Sequence, residues 1–528
     1  MPRSRAGTLF EALVLLLVVT AGAPAASAAV VTLGACTPEG LRALIAGAAA
    51  GDVLLLPACT IPVVGAAGDD ANLSGDFDIA TSITLQGVGS DATILDGGGL
   101  DRVLDIRPGA TVVIADLTIR NGAAPGGEDG GGIRNGGVLT LVDVAVSRNT
   151  AGGGGGGIAS TGTLRVRRSR VTENAAGGTS GGGILCITPA ADVLVEASTV
   201  AGNTANEFGG GLTVAFSTAV VRNSTVADNT SLLNGGGIEG LDDSTLVVEG
   251  TTVSGNATGT DGGGLRIAGG TIATIDNSTI VYNRSRGVGG GVSVGGTLTL
   301  VNSTIARNVD AGNSATGAGG VESDGTLSVR NSVIAENTVG PGTPNADVDV
   351  ADLDPSSSNN LIGTVDGNPR LGPLQDNGGP TFTMAPFPGS PLIDTGDNAL
   401  AAAQGLTTDQ RGAGFARIVD GDGAGGATVD RGAVEVAASP GPANVALLFL
   451  SHLTPAPGDT VVLGILIRAP GRTIVGGAAL FDGFDISAPL VGCPLLAGTV
   501  LSGEQVFTCT FPASLLPPGV HTFSLFLD

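Results

Sequence analysis

The sequence contains no lysine and no tryptophan, a single tyrosine and two histidines. All 24 basic residues are therefore arginines. Enzymes that cleave polysaccharides on extended folds usually combine titratable groups with aromatic sugar platforms, and this composition offers few of either. A cysteine nucleophile also needs a basic partner, but His452 and His521 both lie in the final segment, remote in sequence from Cys186. The scarcity of lysine, histidine, tryptophan and tyrosine favours a chain without a conventional active site.

The charge balance is strongly acidic, with 48 acidic residues against 24 basic ones, a net charge of −24 and a pI of about 4.2. Such a surface repels nucleic acid and anionic membranes, so we expect no nucleic-acid partner. The 528 residues include 90 glycines, and 42% of residues are hydrophobic but only 3% aromatic. This composition is more typical of stacked short strands with tight corners than of a packed globule.

The first 28 residues have the features of a secretory signal peptide. Arg3 and Arg5 precede an apolar run at 12–20, and Ala26-Ser27-Ala28 resembles a cleavage site. The run is too short to span a bilayer, and no later apolar stretch approaches that length. We therefore expect a chain that is exported and has no transmembrane segment after signal cleavage.

A repeated phrase dominates the sequence from about Asn121 to Asn337. It consists of glycines, an aliphatic residue, a short apolar strand and Ser-Thr-Val-x-x-Asn, and it recurs at intervals of about 25 to 29 residues. A repeat of this length indicates a solenoid in which each unit buries its apolar face against its neighbours. After Asn121, the closing asparagines are Asn149, Asn174, Asn203, Asn229, Asn256, Asn283, Asn308 and Asn337.

Within each repeat the hydrophobic period is two, which indicates strands. Counting back from each asparagine after Asn121, the third residue is always Val or Ile, whereas the seventh is mostly polar. If one repeat forms one coil, equivalent positions stack about 4.8 Å apart. Arg167, Glu196, Arg222 and Glu249 would then alternate in charge along an outer wall, where each pair contributes little stability.

The asparagines and glycines call for a structural explanation. Asparagine tolerates left-handed backbone, and its amide can bond the coils on either side, so the eight asparagines after Asn121 predict a buried ladder. The glycine runs supply positive φ at a second corner. We expect neither column to be catalytic.

The wording GGGVSVGGTLTLVNSTIARN, from Gly289 to Asn308, resembles a known group of bacterial surface proteins. Coils with three short strands, an inward asparagine ladder and such phrases are similar to the right-handed parallel β-helix of choice-of-anchor Q domain proteins, relatives of the polymorphic outer-membrane type repeats. The resemblance covers about Val31 to Val436. It implies an all-β solenoid, but it specifies function weakly because β-helices serve both as enzymes and as adhesins.

Export makes the five cysteines candidates for disulfides. Cys36 and Cys59 bracket the first mature segment and Cys493 and Cys509 lie near the end, so we predict two local bridges and a buried free thiol at Cys186. The segment from Pro38 to Ala50 (PEGLRALIAGAAA) predicts a helix with Leu41, Leu44 and Ile45 on one face. This helix is expected to cap the open end of the solenoid, which would otherwise be an exposed sheet edge.

Five regions follow from these patterns. They are the signal peptide (1–28), an N-terminal cap (29–76), the right-handed parallel β-helix with its terminal segment (77–436), a linker (437–443) and an Ig-like β-sandwich (444–528). The last region resembles the Ig-like repeats of bacterial surface proteins, on GAALFDG and LLPPGVHTFSLF. Asp420, Asp422 and Asp430 suggest calcium, but the spacing and bidentate glutamate of an EF-type loop are missing, which favours a polar turn.

Two functions remain open. The first is a non-enzymatic, adhesin-like scaffold, secreted or on the bacterial cell surface, which binds an extracellular glycan or protein and needs no cofactor or metal. Repeat length is expected to vary mainly at 122–129, 175–180 and 309–318, which would form a ridge of variable loops. The alternative is a lyase or hydrolase of the β-helix type. Residues that precede the asparagines, such as Glu173, Asp228 and Tyr282, show no clustering in the sequence, so we predict no catalytic residue.

Overall fold

A computed structural model describes residues 28–437, except 69–70, 179, 313–316, 341–342, 345–346, 349–352, 364–367 and 424, together with the backbone of six strands between Asn444 and Leu527. The predicted signal peptide lies outside these residues apart from Ala28. Within the described residues, two helices, Pro38–Gly47 and Asn398–Ala403, accompany strands and turns.

Four sheets run along the solenoid, and we number them in the order in which one coil visits them after its glycines. Sheet 1 has ten parallel strands: Phe77–Ile79, Leu104–Ile106, Ile133–Asn135, Ile158–Ser160, Ile184–Ile187, Leu212–Ala215, Ile238–Leu241, Leu265–Ile267, Val292–Val294 and Val321–Ser323. Sheet 2 has twelve: Val30–Thr32, Val53–Leu55, Thr84–Gln86, Thr111–Ala115, Val138–Val142, Thr163–Arg167, Asp192–Glu196, Thr218–Arg222, Thr245–Glu249, Ile272–Asp276, Thr297–Val301 and Thr326–Arg330.

Sheets 3 and 4 complete each coil. Sheet 3 has twelve parallel strands: Cys59–Pro62, Thr93–Asp96, Thr118–Arg120, Ala145–Ser147, Arg170–Thr172, Thr199–Ala201, Thr225–Ala227, Thr252–Ser254, Thr279–Val281, Thr304–Ala306, Val333–Ala335 and Leu361–Ile362. Sheet 4 has ten strands, of which the last pairs antiparallel: Ala123–Ala124, Thr150–Ala151, Ala175–Ala176, Thr204–Ala205, Thr230–Ser231, Ala257–Thr258, Arg284–Ser285, Val309–Asp310, Thr338–Val339 and Thr343–Pro344.

The fold is a right-handed parallel β-helix, as the sequence predicts. The aliphatic columns point inward and form one continuous core, in which residues such as Val226, Leu246 and Ile280 are almost completely enclosed. A regular coil contains four strands, so the three expected from the resemblance were one too few. The additional strand is the two-residue strand of sheet 4, which is too short to show a hydrophobic period.

The N-terminal helix lies over the first coils. Thr37 caps it by accepting a hydrogen bond from the Gly40 N–H at 3.1 Å, and Pro38 occupies the first turn. Its apolar face places Leu41 and Ile45 in the solenoid core. Cys36 is bonded to Cys59, the pairing expected from the sequence. The range 29–76 contains this helix and also the first strands of sheets 2 and 3.

The eight asparagines form a buried column at the corner between sheets 3 and 4. In a middle coil, the backbone N–H and the side-chain Nδ2 of Asn229 both donate to Oδ1 of Asn256, at 3.0 and 2.9 Å. The same Nδ2 donates to the carbonyl of Val200 at 3.0 Å. Oδ1 of Asn229 in turn accepts two hydrogen bonds from Asn203. Each amide therefore joins three coils.

The left-handed residue at this corner is the one before each asparagine, and not the asparagine as the sequence suggested. Glu173, Asp228 and Tyr282 have φ values of 56°, 55° and 59°. Asn121 also belongs to this column, with φ of 53°, because Gly122 aligns with Asn149 in the strand register. The sequence pattern aligned Asn121 with Asn149, whereas the residue equivalent to Asn149 is Gly122.

A second buried ladder, which the sequence analysis missed, lies at the corner between sheets 2 and 3. In each coil a hydroxyl oxygen accepts the backbone N–H of the equivalent residue in the preceding coil, for example Ser198 N–H to Ser224 Oγ at 3.1 Å. Asn223, before Ser224, is again left-handed, with φ of 50°. The ladder residues are Ser169, Ser198, Ser224, Thr251, Ser278, Ser303 and Ser332.

The glycine triplet has two separate functions. Gly235, the first of one triplet, has φ of 63°, which confirms the expected positive φ. A Cβ on Gly236 would lie 2.3 Å from the carbonyl oxygen of Gly263, and one on Gly237 would lie 2.6 Å from that of Gly264. The second and third glycines are therefore required by the close approach of adjacent coils.

After the last coil, residues 369–436 turn back and cover the outer face of sheet 3; we call them the return segment. Gln410 lies at its centre: Nε2 donates to the hydroxyls of Thr252 and Thr381, at 2.9 and 3.0 Å, and Oε1 accepts from Thr279 Oγ1 at 2.6 Å. Farther along, the Ala433 N–H donates to Thr304 Oγ1 at 3.0 Å. The outer threonines of three successive coils are buried in this way.

The C-terminal region contains six strands in two antiparallel sheets. One consists of Asn444–Leu450, Thr460–Arg468 and Glu504–Pro512, and the other of Phe484–Asp485, Gly477–Phe481 and Phe523–Leu527. Short antiparallel strands are consistent with the expected β-sandwich, and the Ig-like assignment stays a prediction. Most of the linker, 438–443, and Cys493 lie outside the described residues, so the Cys493–Cys509 bridge also remains a prediction.

Replacing Asn229 by leucine is expected to destabilise the protein by at least about 1–3 kcal/mol, because donors and acceptors on three coils lose their buried partner. The matched control is Arg222→Leu. The Arg222 side chain is 40% exposed and pairs with Glu196, so its loss should cost less than about 1 kcal/mol. Thermal unfolding of both variants measures the difference. Equal shifts in Tm would contradict a stabilising role for the ladder.

Cys186 should resist thiol reagents until the protein unfolds. It is a free cysteine in the core, and burial raises the pKa of its thiol to about 11, an effect that its hydrogen bond to Ser217 reduces. Labelling with an alkylating reagent at neutral pH, with and without denaturant, measures this protection. Rapid labelling of the native protein would show that the thiol is accessible. Non-reducing peptide mapping of the same sample tests the Cys493–Cys509 pairing.

Candidate functional site

Three buried carboxylates come together at the outer side of the first coils. Asp78 and Asp105 occupy equivalent central positions in the first two strands of sheet 1. Asp76 lies just before the first of these strands, and one oxygen from each of the three carboxylates lies within 4.8 Å of the others. All three side chains are buried. An oxygen-rich group of this kind has the donor atoms that Ca²⁺ or Mg²⁺ prefers.

Arginines already neutralise the same carboxylates. Nε of Arg102 lies 3.3 Å from Asp76 Oδ2. Arg107 approaches Asp78 Oδ1 at 2.9 Å and Asp105 Oδ2 at 3.0 Å. Arg134, one coil farther on, also pairs with Asp105. The arrangement is therefore an ionic network that ties the cap to the first coils, and the residues present do not fit a metal site.

The pKa of Asp76 differs from that of an ordinary aspartate. Burial, together with the nearby Asp78 and Asp101, raises the pKa of Asp76 to about 8 despite the attraction of Arg102. Asp76 therefore takes up a proton more readily than an ordinary aspartate does. The sequence analysis missed the cluster because the column comparison began at the regular repeats. The outward aspartates in Phe77-Asp78-Ile79 and Leu104-Asp105-Ile106, followed by Arg134 between Ile133 and Asn135, were the available signal.

A second cluster is exposed at the corner between sheets 3 and 4. Tyr282, Arg307 and Glu336 are the left-handed residues of three successive coils. Arg307 donates from NH1 to the Tyr282 hydroxyl at 3.0 Å and from Nε to Glu336 at 2.7 Å. Although partial burial disfavours its charge, these two hydrogen bonds raise the pKa of Arg307. Left-handed backbone aims this column outward, which brings together side chains that appeared scattered in the sequence.

Farther down the same column, Arg148 pairs with Glu173 at 2.9 Å, and both side chains are 62% exposed. Asp228 follows two coils later, with a glycine, Gly202, between. Asp228 therefore stands apart from Glu173 and Tyr282, as the sequence spacing predicts. The outer wall of sheet 2 likewise follows the expected alternation, because Glu196 pairs with both Arg167 and Arg222.

A second group of three aspartates lies in the return segment. One oxygen from each of Asp394, Asp420 and Asp422 lies within 4.8 Å of the others. Asp394 accepts hydrogen bonds from the backbone N–H groups of Gly421 and Asp422, and Asp420 accepts one from Gly423. Asp430, which the sequence grouped with Asp420 and Asp422, is buried instead and accepts the Asp394 N–H at 2.7 Å. These contacts are those of carboxylates that stabilise a turn.

Glu239 is a fully buried carboxyl group that makes no hydrogen bond within the described part of the chain. It occupies an outward position in sheet 1, yet the side chain has no exposed surface and neither carboxylate oxygen has a hydrogen-bond partner. Burial raises its pKa well above the ordinary value, and the attraction of Arg266 only partly offsets this effect. Because a Cβ on Gly235 would lie 2.4 Å from Oε2, the preceding corner encloses the carboxyl group.

Comparisons with known proteins give a family-model match and similar solved structures. A family model described as a right-handed β-helix region matches residues 102–261 and 158–339. Among solved structures, the PL6 family alginate lyase AlyGC and a mutant of it are similar, each with 13% sequence identity and a TM-score of 0.36. The matches cover 68% and 67% of this chain and 55% of each lyase chain. No curated protein matches the sequence.

The chain thus spans about half the length of the lyases that it matches. With a TM-score of 0.36, the likeness to these lyases supports no inference about this chain. In the part of the chain that the structure describes, no helix combines the length and the hydrophobicity needed to cross a bilayer.

Glu239→Gln should stabilise the protein increasingly as the pH rises. The native state favours neutral Glu239, so its contribution to stability is fully present below the unfolded pKa, near 4.5, and is lost as the pH rises towards the higher folded pKa. In that range the wild type loses about 1.4 kcal/mol per pH unit through this group. The isosteric amide has no such loss.

The matched control is Glu173→Gln, which makes the same change at an exposed position. Urea unfolding between pH 4 and pH 8 should give a stability difference from wild type that grows with pH for Glu239→Gln alone. Parallel pH profiles for the two variants would contradict a neutral, enclosed Glu239.

Proposed function

We propose that the chain is an exported, non-enzymatic β-helical scaffold that binds an extracellular glycan or protein at a bacterial surface. The Cys36–Cys59 bond supports an oxidising compartment. The signal-like segment 1–28, the resemblance to choice-of-anchor Q domain proteins and the antiparallel strands of the C-terminal region support the same assignment. These features are typical of modular, adhesin-like surface proteins.

One observation carries the non-enzymatic part of the proposal. General acid–base catalysis needs a titratable group that is both tuned in pKa and accessible to substrate. Among the described residues, seven carboxyl groups combine a raised pKa with less than a tenth of their surface exposed. They are Asp76, Glu239, Asp276, Asp310, Asp347, Asp430 and Glu435. A polymer on the outer wall would reach none of them.

The binding surface lies on the corners and walls that the rigid coils hold in place. The connection between sheets 4 and 1 is longer than in the other regular coils at 122–129, 175–180 and 309–318, the predicted variable loops. The connection between sheets 1 and 2 also varies, from two residues after Asn135 to four after Ile187 and after Ile267, whereas the connection between sheets 4 and 1 varies more, from six to ten residues. Two corners, and not one, offer variable loops for recognition.

The alternative is a polysaccharide lyase or hydrolase, and the Tyr282 cluster is the observation that favours it. A phenol beside a guanidinium can move a proton while the positive charge holds a sugar carboxylate. Here, however, Arg307 already donates to Glu336 and to the Leu371 carbonyl, at 2.7 and 3.0 Å. The guanidinium is therefore engaged within the chain, which makes the binding scaffold the better-supported function.

The purified mature protein is expected to depolymerise none of alginate, pectin or a neutral glucan, because the tuned carboxyl groups are enclosed. Release of reducing ends, and absorbance of unsaturated products, measure the two kinds of cleavage. A measured activity that Tyr282→Phe or Asp228→Asn abolishes, with unchanged Tm, would overturn the non-enzymatic assignment. Absence of binding to every glycan on an array and to bacterial or host cells would overturn the scaffold assignment.

A further inference from the structure

A small pocket lies between the outer face of sheet 3 and the return segment, at the end of the covered part of the sheet. The pocket has a volume of about 230 Å³ and is lined by Thr225, Thr252, Ser254, Leu374, Pro380, Thr381 and Phe382. Three of these residues come from the outer face of sheet 3 and four from the return segment. The pocket therefore lies where the covered part of the sheet meets its open part.

The three outer threonines that the return segment covers all have hydrogen-bond partners. Thr252 Oγ1 donates to the Phe382 carbonyl at 2.5 Å and accepts from Gln410. Thr279 bonds Gln410, and Thr304 bonds the Ala433 N–H. The outer face of sheet 3 is thus a surface on which each threonine receives a polar partner from the segment that covers it.

Two hydroxyls beside these threonines, those of Thr225 and Ser254, border the pocket. Thr225 is the register neighbour of Thr252, and Ser254 ends the strand that Thr252 begins. Both are half-buried in the pocket wall, and neither side chain makes a hydrogen bond to another residue in the described part of the chain. The pocket therefore extends the hydroxyl-lined face that the return segment contacts.

The lining also determines the chemistry of the occupant. It contains no charged side chain, and the chain carries a net charge of −24, which disfavours an anionic ligand or a second copy. Leu374, Pro380 and the 54% exposed ring of Phe382 supply an apolar side opposite the hydroxyls. An extended peptide is disfavoured because the face of a sheet offers no unpaired backbone edge for strand addition.

We propose that this pocket binds one residue of a neutral polysaccharide, with the sugar hydroxyls bonded to Thr225 and Ser254 and the apolar sugar face packed against Phe382. The inference rests on the proposed function and specifies its ligand as an uncharged glycan. The chain of such a glycan continues along the uncovered face past Ala227 and Thr199.

The test measures binding of cellohexaose, maltohexaose and mannohexaose to the full mature chain by calorimetry, with hexameric alginate and an extended peptide as comparators. At least one neutral oligosaccharide should bind. Its affinity should fall roughly tenfold in Thr225→Val/Ser254→Ala, which removes two hydrogen bonds. Phe382→Ala should cause a similar loss through the apolar side. The matched controls, Thr245→Val and Phe387→Ala, change exposed residues outside the pocket and should bind as the wild type does.

Each other result overturns the proposal. Stronger binding of alginate, or of the peptide, that depends on Thr225 and Ser254 would assign the pocket to an anionic sugar or a protein. Neutral-sugar binding that survives both pocket variants, with Tm unchanged, would place recognition elsewhere. No binding of any neutral oligosaccharide would reject the pocket alone, whereas the scaffold function fails only if the wild-type chain also binds no other glycan, protein or cell.

Discussion

The side-chain amide of each ladder asparagine bonds the coil before it and the coil after it, and this contact fixes the registration on which the rest of the molecule depends. Asn229 uses its backbone N–H, Nδ2 and Oδ1 in the ladder, so a shift of one residue would break bonds to Val200, Asn203 and Asn256 together. The ladder is continuous from the Gly122 N–H to the carboxylate of Asp347. A buried polar column with every group satisfied specifies one register where the apolar core would accept several.

Both tight corners of the coil use the same two-residue device. A left-handed residue turns the chain, and the next residue directs a polar side chain into a buried ladder: an asparagine between sheets 3 and 4, and a serine or threonine between sheets 2 and 3. Asp228–Asn229 and Asn223–Ser224 show the two versions in one coil. In the regular coils, the connections at these two corners keep a constant length of two residues, whereas those at the other two corners vary.

The sequence predicted the repeat, the inward columns, the asparagine ladder positions, the N-terminal helix and the alternating charges, because all of these recur at fixed spacing. The same comparison placed the left-handed residue one position too late, since asparagine is a plausible residue for either role. It also overlooked the serine ladder, because Ser and Thr are ordinary strand-flanking residues and their burial depends on the stacking of coils. The ionic network of Asp76, Asp105 and Arg102 was missed because those coils are irregular, so their outward residues were not aligned with the regular repeats.

The return segment determines which surfaces remain for recognition, and it does so through polar matching as much as through shape. Gln410 satisfies hydroxyls on two coils and one on the segment itself, so these three groups are buried with hydrogen-bond partners. Beyond Phe382 the same face keeps its hydroxyls, but nothing among the described residues satisfies them. The return segment therefore covers only part of the hydroxyl-lined outer face of sheet 3. The uncovered part begins beside the apolar residues of the pocket. That combination, with no charged side chain in the pocket lining, suits an uncharged sugar better than an anionic one.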